Sequence, residues 1–383
     1  MRSRFGVLTS LIVATAVQLA GCVTEPAGVE EHPRFATVAT ASVMGTFLGA
    51  FGSEQSVALA VSRGGLIGGL AHSSPLIRHP VLFQGGQQLT PLPDAPGQLT
   101  GIQGLSDLAG GGAAAVGGQF AWTRPAGGAW SEAVTLPDVG ARASGWSVNA
   151  SGVIAGYLPP AIEQGASAGS GIFVTPKGAM ATLWHPDGAG YSQVQVPGLP
   201  GCLAHSIRHI NDAGVAAGWS VCPSGKSEVS RPFVSISGQP AQALPLGSYG
   251  SAQAVAISQA GHVVGQARLT NRTDAVLLWT PAQDGSYGPP ARILDIDSNN
   301  GIVTGVNGCG VVIGRRTANG DIQGFAATGG QVTDLYPFPG SKQAWAEEIN
   351  DAGTIVGYVW VVSGKGKAQT ATRRATMWQV PAC

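Results

Sequence analysis

Ile210-Asn211-Asp212-Ala213-Gly214-Val215-Ala216-Ala217-Gly218 and its twin Ile349-Asn350-Asp351-Ala352-Gly353-Thr354-Ile355-Val356-Gly357 decide the fold. An Asn opening a tight turn can bond its side chain to the backbone two residues on. A Gly three positions later can take the left-handed conformation that closes a type I turn with a bulge. Short apolar runs on either side supply two strands. The stretch reads as a β-hairpin, and the second Gly marks a close backbone approach or a bend as the second strand leaves.

The same pattern starts at Val61, Val148, Ile257 and Val306, with a degenerate copy at Leu105-Ser106, so successive starts lie 43 to 62 residues apart. The turn residue is Ser62, Asn149, Asn211, Ser258, Asn307 or Asn350, and the turn glycine is Gly65, Gly152, Gly214, Gly261, Gly310 or Gly353. Each copy adds an apolar segment with an aromatic near its end, such as Phe120-Ala121-Trp122, Thr182-Leu183-Trp184, Leu277-Leu278-Trp279 or Thr376-Met377-Trp378. A turn and a further short strand follow, for example Gln331-Val332-Thr333. Four strands per repeat at this period predict an all-β chain, a seven-bladed β-propeller over residues 35–383. The last repeat reads only three strands. The segment Phe35 to Met44 is expected to complete it, closing the ring and removing the exposed sheet edges.

Ahead of the repeats, Arg2 and Arg4 precede an apolar stretch that ends in Leu19-Ala20-Gly21-Cys22. A thiol directly after small residues is the acceptor pattern of a lipoprotein signal peptide, so residues 1–21 read as signal, Cys22 as the lipidation site and 22–34 as a linker. The expected place is the cell envelope, as an outer-membrane lipoprotein or a surface-exposed one, with the membrane reached through the lipid. Charged residues are only 11% of the chain and Lys plus Arg number 21 without a basic run, so nucleic acid is not an expected partner. The exported cysteines Cys202, Cys222, Cys309 and Cys383 are an even set in an oxidising compartment. Cys202 and Cys222 flank the Asn211 turn almost symmetrically and are expected to pair. Closure of the ring would bring Cys383 beside the turn cysteine Cys309.

The Ile-Asn-Asp-Ala-Gly-x-x-x-Gly copies at Ile210 and Ile349, with apolar-aromatic strands between them, resemble the extracellular HAF-repeat proteins of bacteria. The His-Ala-Phe tripeptide of that family is absent; Phe120, Phe233 and Phe325 keep its aromatic place. The resemblance implies export and a repeat β-fold, and no activity or catalytic residue.

Candidate chemistry is sparse. Gly165-Ala166-Ser167-Ala168-Gly169 matches the nucleophile-elbow pattern but sits in an Ala/Gly/Ser tract within the insertion Leu158 to Gly178, and reads as loop. Asp295-Ile296-Asp297-Ser298-Asn299-Asn300-Gly301 alternates oxygen ligands as a calcium loop does. Asn300 stands where the turn glycine is required and Val306 where a bidentate Glu should be, so it reads as an inter-blade loop. His205 and His209, four apart on a strand, would share a face without a third ligand. No metal site, cofactor or catalytic residue is assigned. The equivalent Trp122, Trp184, Trp279 and Trp378 read as packing between blades. Trp130, Tyr191 and Tyr287, in longer Gly/Pro loops, are the candidate ligand contacts. The resulting expectation is a non-enzymatic, envelope-anchored binding or scaffold propeller with a protein or glycan partner. The alternative is a glycan-directed envelope hydrolase on the same ring, which acidic side chains converging on the axis would favour.

Overall fold

The computed structural model describes residues 42–51, 55–85, 87–95, 101–138, 142–160, 175–270, 272–318, 320–363 and 370–383. Cys22, the proposed signal and linker, and the Gly165–Gly169 tract lie outside the described residues. The remainder forms seven small sheets, six of four strands and one of five. The innermost strands are Ser56–Val61, Gly104–Asp107, Ser144–Val148, Ala204–Ile210, Gln253–Ile257, Ile302–Val306 and Ser341–Ile349, which number blades one to seven. Each inner strand touches the next, and the seventh touches the first, so the blades close a ring around an axis. The protein is an all-β, seven-bladed propeller, with no helix among the described residues.

The composition follows from this wedge geometry. Near the axis the strands crowd, and Ala58, Ala60, Ala115, Ala254, Ala344 and Ala346 are fully or almost fully buried there. Farther out the blades diverge and larger side chains fill the gap. Trp122, Trp184, Trp279 and Trp378 are at most 1% exposed. Each indole N–H donates to a carbonyl at the outer end of the preceding blade: Pro93, Pro137, Pro245 and Tyr336, at 2.7 to 2.9 Å. A buried indole thus contributes apolar area and satisfies its one donor across the same seam. The packing reading of these four residues holds.

The hairpin motif forms as expected and does more. Gly214 has φ 76°, and Asn211 Oδ1 accepts from the amide of Val215 at 2.9 Å. The bond to the backbone two residues on is present as well, in Ser151 to Asn149 at 3.1 Å and Cys309 to Asn307 at 3.2 Å. The side-chain amide then reaches out of its own blade. Asn149 donates to the Asn211 carbonyl, Asn211 to Ser258 and Asn350 to Ser62, so these three turns are each tied to the next blade, whereas the side-chain amide of Asn307 is buried without a partner.

The closing strand lies a few residues later than expected. Thr46–Gly49 pairs antiparallel with Thr370–Gln379 and completes blade seven. Ser42–Met44, the end of the segment assigned that role, instead pairs parallel with Gln331–Tyr336 as a fifth strand of blade six. Gly45 makes the crossing. A Cβ there would stand 2.5 Å from Thr376 Cγ2 and 2.9 Å from Trp378 Nε1, so only Gly passes between the two blades. Both disulfides form: Cys202 to Cys222, with Cα atoms 4.0 Å apart, and Cys309 to Cys383, at 5.3 Å.

Candidate functional site

The second glycine of each repeat shapes the axis. A Cβ on Gly69, Gly156, Gly218, Gly265, Gly314 or Gly357 would overlap an inner-strand carbonyl oxygen: that of Val57, Ser144, Ser206, Gln253, Ile302 or Trp345. That close approach accompanies a β-bulge, because the ladder to the inner strand skips one residue in each of these blades. The skipped residues are Leu59, Trp146, Arg208, Val255, Thr304 and Glu347, each three positions before the turn Asn or Ser. Blade two has no bulge, and Gln103 stands at its corresponding place. All seven line one axial cavity of about 320 Å³ that reaches the face bearing the Asn turns.

Charged groups span this channel from opposite sides of the ring. At the mouth, Arg63 of blade one reaches Asp212 of blade four at 2.6 Å. His209 of blade four lies 3.4 Å from Glu348 of blade seven. Beside these, Arg208 and Glu347 face one another electrostatically but close neither a hydrogen bond nor an ion pair among the described residues. Arg208 lies on the ring of Trp146 at 3.6 Å. From blade six, Arg315 lies on Trp345 at 3.6 Å and acts on Glu347. Burial lowers the Arg208 guanidinium to about 10, against the pull of Glu347. Burial also pushes the Glu347 carboxyl above its usual range, with Arg315 and Arg208 holding it back.

Five carboxylates line the channel, and four hold the frame together. Asp107 accepts the amide of Gly64 at 2.5 Å, Asp212 that of Ala150 at 2.8 Å, Glu348 that of Val61 at 2.7 Å and Asp351 that of Gly308 at 2.7 Å. Every one of these bonds crosses a blade seam. Glu347 makes no hydrogen bond among the described residues and is the one carboxylate left to the channel.

The residues singled out from sequence sit elsewhere. Trp130, Tyr191 and Tyr287 are half-buried rather than displayed. Trp130 packs on a blade-two core and carries Arg124 over its ring at 5.3 Å. Tyr191 packs at the blade-three core, where burial raises its hydroxyl to about 12. Tyr287 donates to the Gly261 carbonyl at 2.7 Å. None of the three lines the axial cavity.

His205 and His209 do not share a site. The bulge at Arg208 breaks the two-residue alternation, placing His205 against Ser220 at 2.8 Å and His209 in the channel. Asp297 spends its carboxylate on the amides of Asn299, Asn300 and Thr317. No group of three metal-ligating side chains occurs among the described residues.

No family model matches the chain, and no curated protein matches it. Among solved structures it is similar to "YCF48 bound to D1 peptide", at 10% identity and TM-score 0.44, covering 91% of this chain and 99% of that one. It is also similar to a gluconolactonase from Xanthomonas campestris, at 12% identity and TM-score 0.36, covering 88% of each chain. A third is a mutant Aleuria aurantia lectin in complex with Fucalpha1-6GlcNAc, at 12% identity and TM-score 0.28, covering 87% of this chain and 97% of that one. At these scores none of them bears on what this chain binds.

Proposed function

We propose that this chain is a non-enzymatic binding propeller, held at the cell envelope by lipid on Cys22, which takes a small ligand into its axial channel from the face of the Asn turns. The observation that carries this reading is the state of the channel carboxylates. Hydrolysis of a glycosidic bond by the usual route needs two carboxyl groups free to act as acid and as base or nucleophile. Asp107, Asp212, Glu348 and Asp351 instead accept backbone amides across blade seams, which leaves Glu347 without a free partner carboxylate. Binding needs less: a concave site with placed polar groups that fix a ligand's orientation. Export and attachment are supported by Leu19-Ala20-Gly21-Cys22 and by the resemblance to HAF-repeat proteins.

Two measurements test the proposal. Full-length protein in mild detergent, offered p-nitrophenyl glycosides and esters, is expected to release no p-nitrophenol above buffer. Release that disappears in Glu347→Gln would make the protein a hydrolase. Cells fed labelled palmitate are expected to label the protein, and the label is expected to vanish in Cys22→Ser; an unlabelled parent would remove the anchor.

A further inference from the structure

We infer that the axial channel takes a small carboxylic acid that also carries a hydroxyl or amine, its carboxylate on the N–H edge of Arg208 and its donor group on Glu347. This deepens the channel-binding reading and rests on it.

Arg208 is an unusual cation to find inside a protein. One face of its guanidinium is covered by Trp146 at 3.6 Å, which fixes the plane and leaves the in-plane N–H groups as its free edge. Those donors have no hydrogen-bond acceptor and no close ion pair among the described residues, although the side chain is half-buried. A guanidinium has five N–H donors in a rigid fork matched to a carboxylate, and those of Arg208 open onto the cavity rather than onto a protein acceptor. Across the cavity Glu347 is in the complementary position: a carboxylate without hydrogen bonds among the described residues, on which Arg315 acts electrostatically. Empty volume lies between a donor edge and an acceptor.

Other polar groups of the wall are in part engaged: Glu348, which also acts on Arg208, accepts the amide of Val61 at 2.7 Å. Thr304 already donates its hydroxyl to the Ala346 carbonyl at 3.0 Å, and Gln103 accepts the Gly118 amide at 3.2 Å. Leu59 and Val255 are apolar. A cavity of about 320 Å³ is near the lower end of the range for ligand pockets, which suits a small molecule rather than a folded partner. Entry is from the turn face. The Arg63 side chain, 61% exposed, lies across the mouth on Asp212 and can swing into solvent.

The test titrates full-length protein in mild detergent, by calorimetry, with a panel of small hydroxy acids, amino acids and uronic acids, each beside its primary amide. At least one acid is expected to bind roughly tenfold or more tightly than its amide, the difference a charge-assisted bidentate pair makes. Arg208→Gln is expected to abolish that preference. Arg208→Lys, which keeps the charge and loses the fork, is expected to shrink it, and carries the test if the Gln variant does not fold. Acids no better than amides, a preference that survives in both Arg208 variants, or a panel that does not bind at all would overturn the inference. Leu59→Trp separates this failure from that of the channel reading. If acids and amides bind alike and both are lost in Leu59→Trp, the channel stands and only the carboxylate assignment falls; binding unchanged in Leu59→Trp removes the channel itself.

Discussion

The side-chain amide of Asn350 donates to the carbonyl of Ser62 at 3.0 Å, across the seam where the last blade meets the first. The same bond joins Asn149 to Asn211 and Asn211 to Ser258. A residue that opens a turn in its own hairpin is therefore also a tie to the next, and it does both from a buried position: Asn211 is 2% exposed.

Asn211→Ala should accordingly cost more than the loss of a surface turn residue. It strands the Val215 amide, at a cost of about 1 to 3 kcal/mol, and takes one of two donors from the Ser258 carbonyl, which keeps the amide of Gly261 at 3.0 Å. Asn211→Ser should recover roughly half, because Ser258 and Ser62 already receive the equivalent amide, from His262 at 3.0 Å and Leu66 at 3.1 Å, without reaching the next blade. Urea unfolding of the three proteins checks the order. Equal midpoints for the Ala and Ser variants would mean that the inter-blade half of the bond is all that counts.

Gly218→Ala and Gly225→Ala isolate what the second glycine does. At Gly225, φ is 62° and nothing lies within 4 Å of the added carbon, so only backbone strain of about 1 kcal/mol is expected. Gly218 has ordinary strand geometry, yet its Cβ would overlap the Ser206 carbonyl oxygen and come within 2.8 Å of Ile207 Cα. Overpacking against backbone should cost roughly 1 to 3 kcal/mol or more and spring the bulge that aims Arg208. A Gly218→Ala protein as stable as Gly225→Ala would show that the bulge does not depend on that contact.

The two disulfides close loops of different length, 20 and 74 residues of separation. In the chain-entropy account that corresponds to about 3 and 4 kcal/mol, so Cys383→Ser should destabilise more than Cys222→Ser. Denatured, unreduced protein should leave Cys309 unalkylated. Cys383→Ser should make Cys309 reactive while Cys202 stays protected. Ready modification of Cys309 in the parent would break the link between the blade-six turn and the C-terminus.

Seven blades were legible in the sequence because the signals that set the period act on the backbone. Asn211, Gly214 and Gly218 specify a turn and a close approach wherever they stand, and their recurrence counts the blades without any knowledge of contacts. The closing strand lies a few residues beyond the expected segment because the constraint on Gly45 is not visible in the sequence around it. That constraint is the pair Thr376 and Trp378, more than three hundred residues away. The channel was not legible for a related reason. Leu59, Trp146, Arg208 and Glu347 converge only once the ring is closed, and the bulge that turns each inward also reverses the alternation by which His205 and His209 seemed to share a face. One signal was available: the position three before each turn Asn or Ser differs from copy to copy within an otherwise repetitive frame.

Glu347 also gives stability a pH dependence of definite sign. Burial is the largest influence on its carboxyl and raises its pKa above the ordinary 4.5, so the folded chain holds this proton more tightly than the unfolded chain does. Where the folded state binds more protons, stability falls as pH rises. The contribution of Glu347 is therefore greatest below its unfolded pKa and is lost progressively as pH climbs from about 4.5 through the raised folded value. Glu347→Gln cannot ionise and lacks this component. The difference in unfolding free energy, variant minus parent, should thus grow more positive from pH 4 upward and level off once Glu347 is ionised in both states. Urea melts at half-unit pH steps measure it. A difference that stays flat across the range would place Glu347 in contact with bulk water, and one that grows more negative would mean that Arg208 and Arg315 outweigh burial, which would also weaken the case for Glu347 as an acceptor waiting for a ligand.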